Sequence, residues 1–185
     1  MSNSWHINQA ARVIHRGGIV AYPTEAIFGL GCDPFDLAAV WRLILLKQRS
    51  VDKGLVIIAS DMEQLLPFIK TLDGKTENKV MATWPGPVTW LLPAQPWVSP
   101  LLRGRHETIA VRITAHPIAA RLCHNLGHSL VSTSANIAEQ RPARNTFEVQ
   151  RRFGDAIDYV LPGRTGEQPQ PSEIRDALTD KIIRT

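Results

Sequence analysis

The sequence has little cysteine and no long apolar run. Only 2 of its 185 residues are cysteines, Cys32 and Cys123, and they form no Cys-x-x-Cys pair. This excludes a disulfide-stapled scaffold and favours a reducing compartment. Apolar runs such as 43–46 and 55–59 are far too short to span a membrane, and the first residues lack the basic and then apolar pattern of a secretion signal. We therefore expect a cytoplasmic protein that has no membrane partner.

Aromatic residues are also scarce, at 6%, and they are not interleaved with Lys and Arg. This argues against a platform on which nucleic-acid bases stack. The charge balance is mild, with 21 Lys and Arg against 17 Asp and Glu, for a net charge of +4. A small basic excess favours anionic ligands such as nucleotides or RNA without choosing between them. The 44% of hydrophobic residues suffices for a core that needs no metal or disulfide.

Helical and strand patterns alternate along the chain and predict one α/β domain, residues 1–185, with a mixed sheet. The predicted helices cover 7–14, 36–47, 117–125 and 146–153, with further short helices at 61–68 and 77–83. The predicted strands cover 19–22, 55–59, 88–92, 108–113, 130–132 and 157–161, with edge strands at 173–178 and 181–184. The glycine-rich segment 29–34 predicts a loop. In the helix 36–47, the predicted buried stripe is Leu37, Val40, Trp41, Ile44 and Leu45.

Two polar segments next to predicted strands are candidates for a ligand site. Three cations, Lys47, Arg49 and Lys53, lie between a helix and the buried strand 55–59, where α/β proteins often form ligand crevices. Lys47 and Arg49, two residues apart, could converge on a polyphosphate, or the cations could simply be solvated at a helix C-terminus. The segment 132–136, Ser-Thr-Ser-Ala-Asn, follows another strand. Its hydroxyl and amide groups suit phosphate or carboxylate oxygens, although a turn or helix cap explains the segment, taken alone, somewhat better.

Other motifs are weaker. The segment 74–76, Gly-Lys-Thr, resembles the end of a phosphate-binding P-loop, but Ile69 occupies the position of the required first glycine, so an exposed polar turn is expected. His116, Cys123, His124 and His128 are close in sequence, but no carboxylate completes a metal-binding set. No protein-bound metal is therefore predicted.

Six segments, taken in order, resemble the YrdC/TsaC family. They are 22–31 (YPTEAIFGLG), 47–49 (KQR), 84–89 (WPGPVT), 110–113 (AVRI), 132–136 (STSAN) and 171–172 (PS). The resemblance covers nearly the whole chain and is closest to the short, single-domain bacterial form. It implies a YrdC-like fold, a single-domain twisted open α/β sandwich with a mixed sheet and a wide basic concave face.

The resemblance also implies an activity. Members of the family are threonylcarbamoyl-AMP synthases, which use L-threonine, bicarbonate or CO2, and ATP, and release diphosphate. The product then passes to a tRNA threonylcarbamoyl-transferase complex, which makes the t6A modification at position 37 of tRNAs that read codons beginning with A. ATP would be a substrate, with Mg²⁺ carried by its triphosphate.

The resemblance assigns roles to eleven residues. Lys47 and Arg49, in the Lys-x-Arg motif, are the predicted catalytic residues. The residues expected to bind ATP are Lys47, Arg49, Thr108, Ser134, Asn136 and Arg184. The residues expected to surround threonine are Thr24, Lys53, Arg112, Ser132 and Ser172. The sequence departs from the family pattern at Ser50, where a proline is usual, and at 138–139, where Ser-Gly is often found.

Two other functions are compatible with the sequence. The first is an RNA-binding or ribosome-maturation module that uses the basic concave face for tRNA or double-stranded RNA. The second is a carbamoyl-transfer domain like the related module of hydrogenase maturation proteins, although this chain lacks their additional domains.

Overall fold

The computed structural model describes residues 3–168, 170 and 172–184, with residue 3 described by its backbone alone. These residues form a nine-stranded mixed sheet with strand order β7-β1-β2-β6-β3-β5-β4-β8-β9. The strands are β1 Val20–Pro23, β2 Phe28–Gly31, β3 Val56–Ala59, β4 Val88–Pro93, β5 Thr108–Ile113, β6 Leu130–Ser134, β7 Tyr159–Val160, β8 Glu173–Asp176 and β9 Ile182–Arg184. The predicted mixed α/β fold is confirmed. Pro171, in the last of the six motifs, lies outside the described residues.

Six α-helices accompany the sheet in the described part of the chain. They are α1 Asn3–His15, α2 Leu37–Leu46, α3 Gly74–Met81, α4 Pro100–Arg103, α5 Pro117–Leu126 and α6 Thr146–Phe153. The segment 74–76, which resembles a P-loop, forms the first turn of α3, and the Asp73 carboxylate accepts a hydrogen bond of 2.8 Å from the Thr76 amide. The predicted exposed turn is therefore wrong, because Asp73 caps a helix there. None of the described helices is long and apolar enough to cross a membrane.

The sheet separates two hydrophobic cores. On one face, α1 and α5 pack together over Val20 and Tyr22 of β1, Ile58 of β3 and Leu130 of β6. On the other face, α2 and the remaining segments cover alternate residues of the same strands, for example Ile57. This alternation follows from the two-residue period of a strand, which sends successive side chains to opposite faces.

The segment 29–34, predicted as a loop, contains most of β2, so this prediction is wrong. β2 pairs with β1 on one side and with β6 on the other. Its glycines are needed because the neighbours come very close. A Cβ atom on Gly31 would lie 2.4 Å from the Val131 carbonyl oxygen and 2.9 Å from Cε1 of Tyr22. The glycines therefore mark a close approach of strands rather than a turn.

Helix α2 begins as predicted, with Asp36 Oδ1 accepting hydrogen bonds of 3.0 Å from the Ala38 and Ala39 amides. Its buried face, however, consists of Ala39, Val40, Leu43 and Ile44. Leu37, Trp41 and Leu45 are 46%, 44% and 58% exposed, so three of the five residues in the predicted stripe are wrong. The helix is apolar on nearly every side, and its sequence therefore does not reveal which side faces the core.

Candidate active site

A cavity of about 420 Å³ opens on the same face of the sheet as α1 and α5. Those two helices cover only part of this face, and the cavity occupies another part. Alternate residues of the central strands point into it, such as Thr108, Ala110 and Arg112 of β5 and Ser132 and Ser134 of β6. The volume suits a small-molecule ligand.

Ten of the eleven residues predicted for the site line this cavity. They are Thr24, Arg49, Lys53, Thr108, Arg112, Ser132, Ser134, Asn136, Ser172 and Arg184. They come from six different segments of the chain, which the sheet brings together. Lys47 is the exception, because it lies behind the cavity wall. The roles of all eleven residues stay predictions.

The end of helix α2 explains why Lys47 and Arg49 point to different places. The Gln48 amide donates to the Leu45 carbonyl at 3.0 Å, and the Arg49 amide donates to the Ile44 carbonyl at 3.1 Å. This is the Schellman hydrogen-bond pattern, in which the residue between the last helical turn and the outgoing chain is left-handed. That residue is Gln48, with φ of 51°. The chain therefore turns sharply at Gln48, so the side chains of Lys47 and Arg49 point to different places.

Arg49 reaches the cavity wall while it braces the loop that follows. Its Nε and Nη2 donate to the Gly54 carbonyl oxygen at 3.1 and 3.0 Å. Its Nη1 makes no hydrogen bond with the described residues. The guanidinium therefore has donors left for a ligand while two of its nitrogens fix its orientation.

Lys47 is 3% exposed, and its ammonium binds backbone carbonyls. Nζ donates to the carbonyl oxygens of Ser134 and, at 2.6 Å, of Asn136. Burial, followed by the nearby charges of Arg49 and Arg152, lowers the Lys47 pKa to about 7. Lys47 thus holds in place the backbone of two residues that line the cavity.

The lowered Lys47 pKa predicts how stability depends on pH. Between pH 7 and the ordinary lysine pKa, the unfolded chain binds a proton at Lys47 that the folded chain has released, so the contribution of Lys47 to stability rises with pH. Relative to Lys47→Met, we expect the unfolding free energy of the wild type to increase by about 1 kcal/mol per pH unit between pH 7 and 9. Urea denaturation of both proteins at each pH measures this difference, and parallel pH curves would contradict the lowered pKa.

Glu25 and Arg112 form a buried ion pair at the cavity wall. Arg112 Nη2 lies 3.2 Å from Glu25 Oε2, while Glu25 Oε1 accepts hydrogen bonds from the Thr114 hydroxyl at 2.7 Å and the Ala115 amide at 3.1 Å. Burial raises the Glu25 pKa, but Arg112 and the hydrogen bonds outweigh it, so the net pKa lies below the ordinary value. Arg112 Nε is buried and has no hydrogen-bond partner among the described residues.

The cavity carries a strong positive charge. Its described lining includes one carboxylate, Glu25, and five basic residues: Arg49, Lys53, Arg103, Arg112 and Arg184. Burial and Arg184 lower the Arg49 pKa, and burial and Arg112 lower the Arg184 pKa. Arg184 therefore repels both Arg49 and Arg112. An anionic ligand would relieve this repulsion.

Several polar groups complete the wall. The Thr24 hydroxyl donates to the Ile27 carbonyl at 2.8 Å, and the Thr89 hydroxyl donates to the Ser172 hydroxyl at 3.0 Å. Arg184 Nη2 donates to the Ser172 carbonyl at 2.9 Å, which ties β9 to the start of β8. Glu25 lies in the motif 22–31, but no role was predicted for it. It is the only charged residue of that motif, which could have been the signal. Arg103 and His106 also line the cavity, and no motif pointed to them.

The described residues contain no cluster of three or more His, Cys, Asp or Glu that could hold a metal ion. Glu25 would be the obvious ligand in the cavity wall, but its Oε1 accepts two hydrogen bonds from Thr114 and Ala115, and its Oε2 is buried against Arg112. The donors present therefore do not fit a protein-held Mg²⁺, which prefers carboxylate and water oxygens.

The fold and the cavity define an α/β protein with a cationic site for a small molecule. A family model for Sua5, YciO and YrdC, described as "Telomere recombination", matches residues 12–185. The chain belongs to this family. A threonylcarbamoyl-AMP synthase of Nitrosococcus oceani is 54% identical over 98% of this chain and 98% of its own length.

Solved structures agree with this assignment. Sua5 of P. abyssi in complex with L-threonine is 32% identical, with a TM-score of 0.88, over 95% of this chain and 52% of that chain. The chain therefore spans about half the length of that Sua5. YciO of E. coli is 26% identical, with a TM-score of 0.85, over 99% of this chain and 89% of that chain. These two structures have the same fold as the chain described here.

Proposed function

We propose that the chain is a threonylcarbamoyl-AMP synthase. It joins L-threonine, bicarbonate or CO2, and ATP into L-threonylcarbamoyl-AMP and releases diphosphate. The observation that carries this proposal is that three guanidinium groups, Arg49, Arg112 and Arg184, line one cavity of nucleotide-binding size. The Nitrosococcus oceani relative, with this name and nearly the same length, supports it.

The chemistry needs charge stabilisation and positioning more than it needs a nucleophilic side chain. The threonine amine takes up CO2 and loses a proton, which gives a carbamate. A carbamate oxygen then bonds to the α-phosphorus of ATP as the bond to the β-phosphate oxygen breaks and diphosphate leaves. Both reactants are anions, so the cations of the cavity offset their repulsion. No covalent intermediate with the protein is required.

We assign the residues of the cavity wall to two neighbouring subsites. The nucleotide subsite comprises Arg49, Thr108, Ser134, Asn136 and Arg184. The threonine subsite comprises Thr24, Lys53, Arg112, Ser132 and Ser172. The position of Arg112 supports this assignment, because its guanidinium lines the cavity and guanidinium groups bind carboxylates such as that of threonine. Mg²⁺ would arrive on the triphosphate, and the product would pass to a tRNA threonylcarbamoyl-transferase complex in the cytoplasm. Binding of tRNA or double-stranded RNA stays a prediction from the sequence.

The test is substrate dependence. The purified protein is incubated with all three substrates and with each one omitted in turn, and diphosphate is measured alongside mass detection of threonylcarbamoyl-AMP. We expect both products only in the complete mixture. Diphosphate release that does not depend on threonine would identify a different nucleotide hydrolase and refute the proposal. Serine in place of threonine is the matched control for the side-chain methyl group.

A further inference from the structure

The segment 134–141, called here the 134–141 loop, supplies two cavity residues and closes on itself. It leaves β6 at Ser134, and Ser134 and Asn136 both line the cavity. Asn136 Nδ2 donates to the carbonyl oxygens of Ile137 at 2.8 Å and Gln140 at 2.9 Å. Glu139, with φ of 66°, takes up the left-handed conformation at the far end of the loop. The loop is therefore compact, and its shape depends on backbone carbonyl contacts.

Two cations that do not line the cavity bind these carbonyls. Lys47 from the end of α2 binds the Ser134 and Asn136 carbonyls, as described above. Arg152, in the last turn of α6, donates from Nη1 to the Ala135 carbonyl at 3.0 Å and to the Arg141 carbonyl at 2.6 Å. The two cations therefore hold four carbonyls of one loop.

The Arg152 contacts join the two ends of the loop. Ala135 lies just after β6, and its amide donates to the Phe28 carbonyl of β2 at 2.8 Å. Arg141 lies six residues later, where the chain turns back towards α6. One nitrogen of Arg152 therefore bridges Ala135 and Arg141. It adds to a backbone contact at the same place, in which the Ala143 amide donates to the Ala135 carbonyl at 3.0 Å. No other residue described here donates a side-chain hydrogen bond to both of these carbonyls.

The Arg152 charge also acts on the site. Arg152 makes no ion pair with a carboxylate of the described residues. It is close enough to Lys47 to contribute to the lowering of the Lys47 pKa. Carbonyl dipoles hold the Arg152 guanidinium without neutralising it, as a carboxylate would. Its positive charge therefore still acts on neighbouring groups.

We propose that Arg152 is a positioning residue for the nucleotide subsite. It holds the 134–141 loop so that Ser134 and Asn136 keep their places in the cavity wall, without touching the nucleotide itself. This inference rests on the proposed synthase function and names a residue that no sequence motif or resemblance pointed to.

The test compares Arg152→Met and Arg152→Lys with the wild type and with Arg151→Met, a matched control at the neighbouring exposed position of α6. For Arg152→Met, we expect KM for ATP to rise about tenfold, because small misplacements of binding groups are costly. KM for threonine should stay within about twofold. Arg152→Lys, which keeps the charge, should recover part of the ATP affinity. Arg151→Met should match the wild type.

Hydrogen exchange gives a readout that does not depend on the reaction. In Arg152→Met, amides of 135–141 should exchange at least about tenfold faster, while those of β3 and β5 stay protected. A wild-type KM for ATP together with unchanged exchange in the loop would overturn the proposal, as would an equal rise in both KM values. If Arg152→Met does not fold, the KM values and the loop exchange of Arg152→Lys decide whether the proposal holds. A wild-type protein that makes no threonylcarbamoyl-AMP refutes the proposed synthase function instead. The exchange experiment then still tests whether Arg152 holds the 134–141 loop.

Discussion

Replacement of Arg49 by alanine should lower the rate of threonine-dependent diphosphate release by about 100-fold or more, which is the usual cost of removing one preorganised donor to a charged transition state. The side chain lines the cavity and has a donor, Nη1, without a partner among the described residues. Arg49→Lys should recover little of this rate. A single ammonium group cannot both hold the Gly54 carbonyl and present a second donor to the ligand.

The matched control is Arg105→Ala. Arg105 pairs with Asp52 at 2.8 Å on the loop that Arg49 braces, but the pair is largely exposed and Arg105 does not line the cavity. Its loss should leave the rate within about twofold of the wild type, because exposed ion pairs contribute little. Circular dichroism and urea denaturation establish that Arg49→Ala is folded. A folded Arg49→Ala with wild-type turnover would remove Arg49 from the site.

Gly104→Ala should cost about 3 kcal/mol or more of unfolding free energy. Gly104 has φ of 68° and ψ of −146°, a region that is essentially restricted to glycine. A Cβ atom there would lie 2.3 Å from the Asp52 carbonyl oxygen and 2.8 Å from the Gly54 amide nitrogen. These are backbone atoms that cannot rotate away, so the loop 51–54 must shift. Because Gly54 holds Arg49, activity should fall as well.

Gly74→Ala is the control for this substitution. Gly74 begins α3, its φ is not positive, and a Cβ atom there would meet nothing within 4 Å. Alanine should leave stability unchanged or raise it by about 0.5 kcal/mol, since it restricts the unfolded chain. Thermal and urea denaturation of both variants measure the contrast. Equal effects at the two positions would show that Gly104 is not locked by its neighbours.

Strands and helices with a clear apolar signal could be predicted from the sequence. The run 55–59 and the alternation in 108–113 correspond to β3 and β5, and Asp36 does cap α2. β2 could not be predicted, because its glycines are explained only by how closely Val131 and Tyr22 approach them. Such an approach is a property of the assembled sheet, and the sequence alone cannot reveal it.

The sequence indicated which residues line the cavity better than it indicated the hydrogen bonds that hold those residues in place. The family resemblance pointed to ten residues that line one cavity in the structure, seven of them within the six motifs. The motifs could not show that the Lys47 ammonium binds the carbonyls of Ser134 and Asn136, because this depends on how far the chain turns at Gln48. The motifs also could not point to Arg152. Its hydrogen bonds go to backbone oxygens, which every residue has, so they leave no pattern in the sequence.

The alternation along β5 limits how this cavity can change. Ala110 and Arg112 face the cavity, whereas Ile109, Val111 and Ile113 face the opposite core. Insertion or deletion of one residue before Arg112 would exchange these sets, burying a guanidinium in the apolar core and exposing valine to the ligand. Ligand preference can therefore be altered by substitution along the central strands, whereas changes in chain length can be accommodated only in the connecting loops.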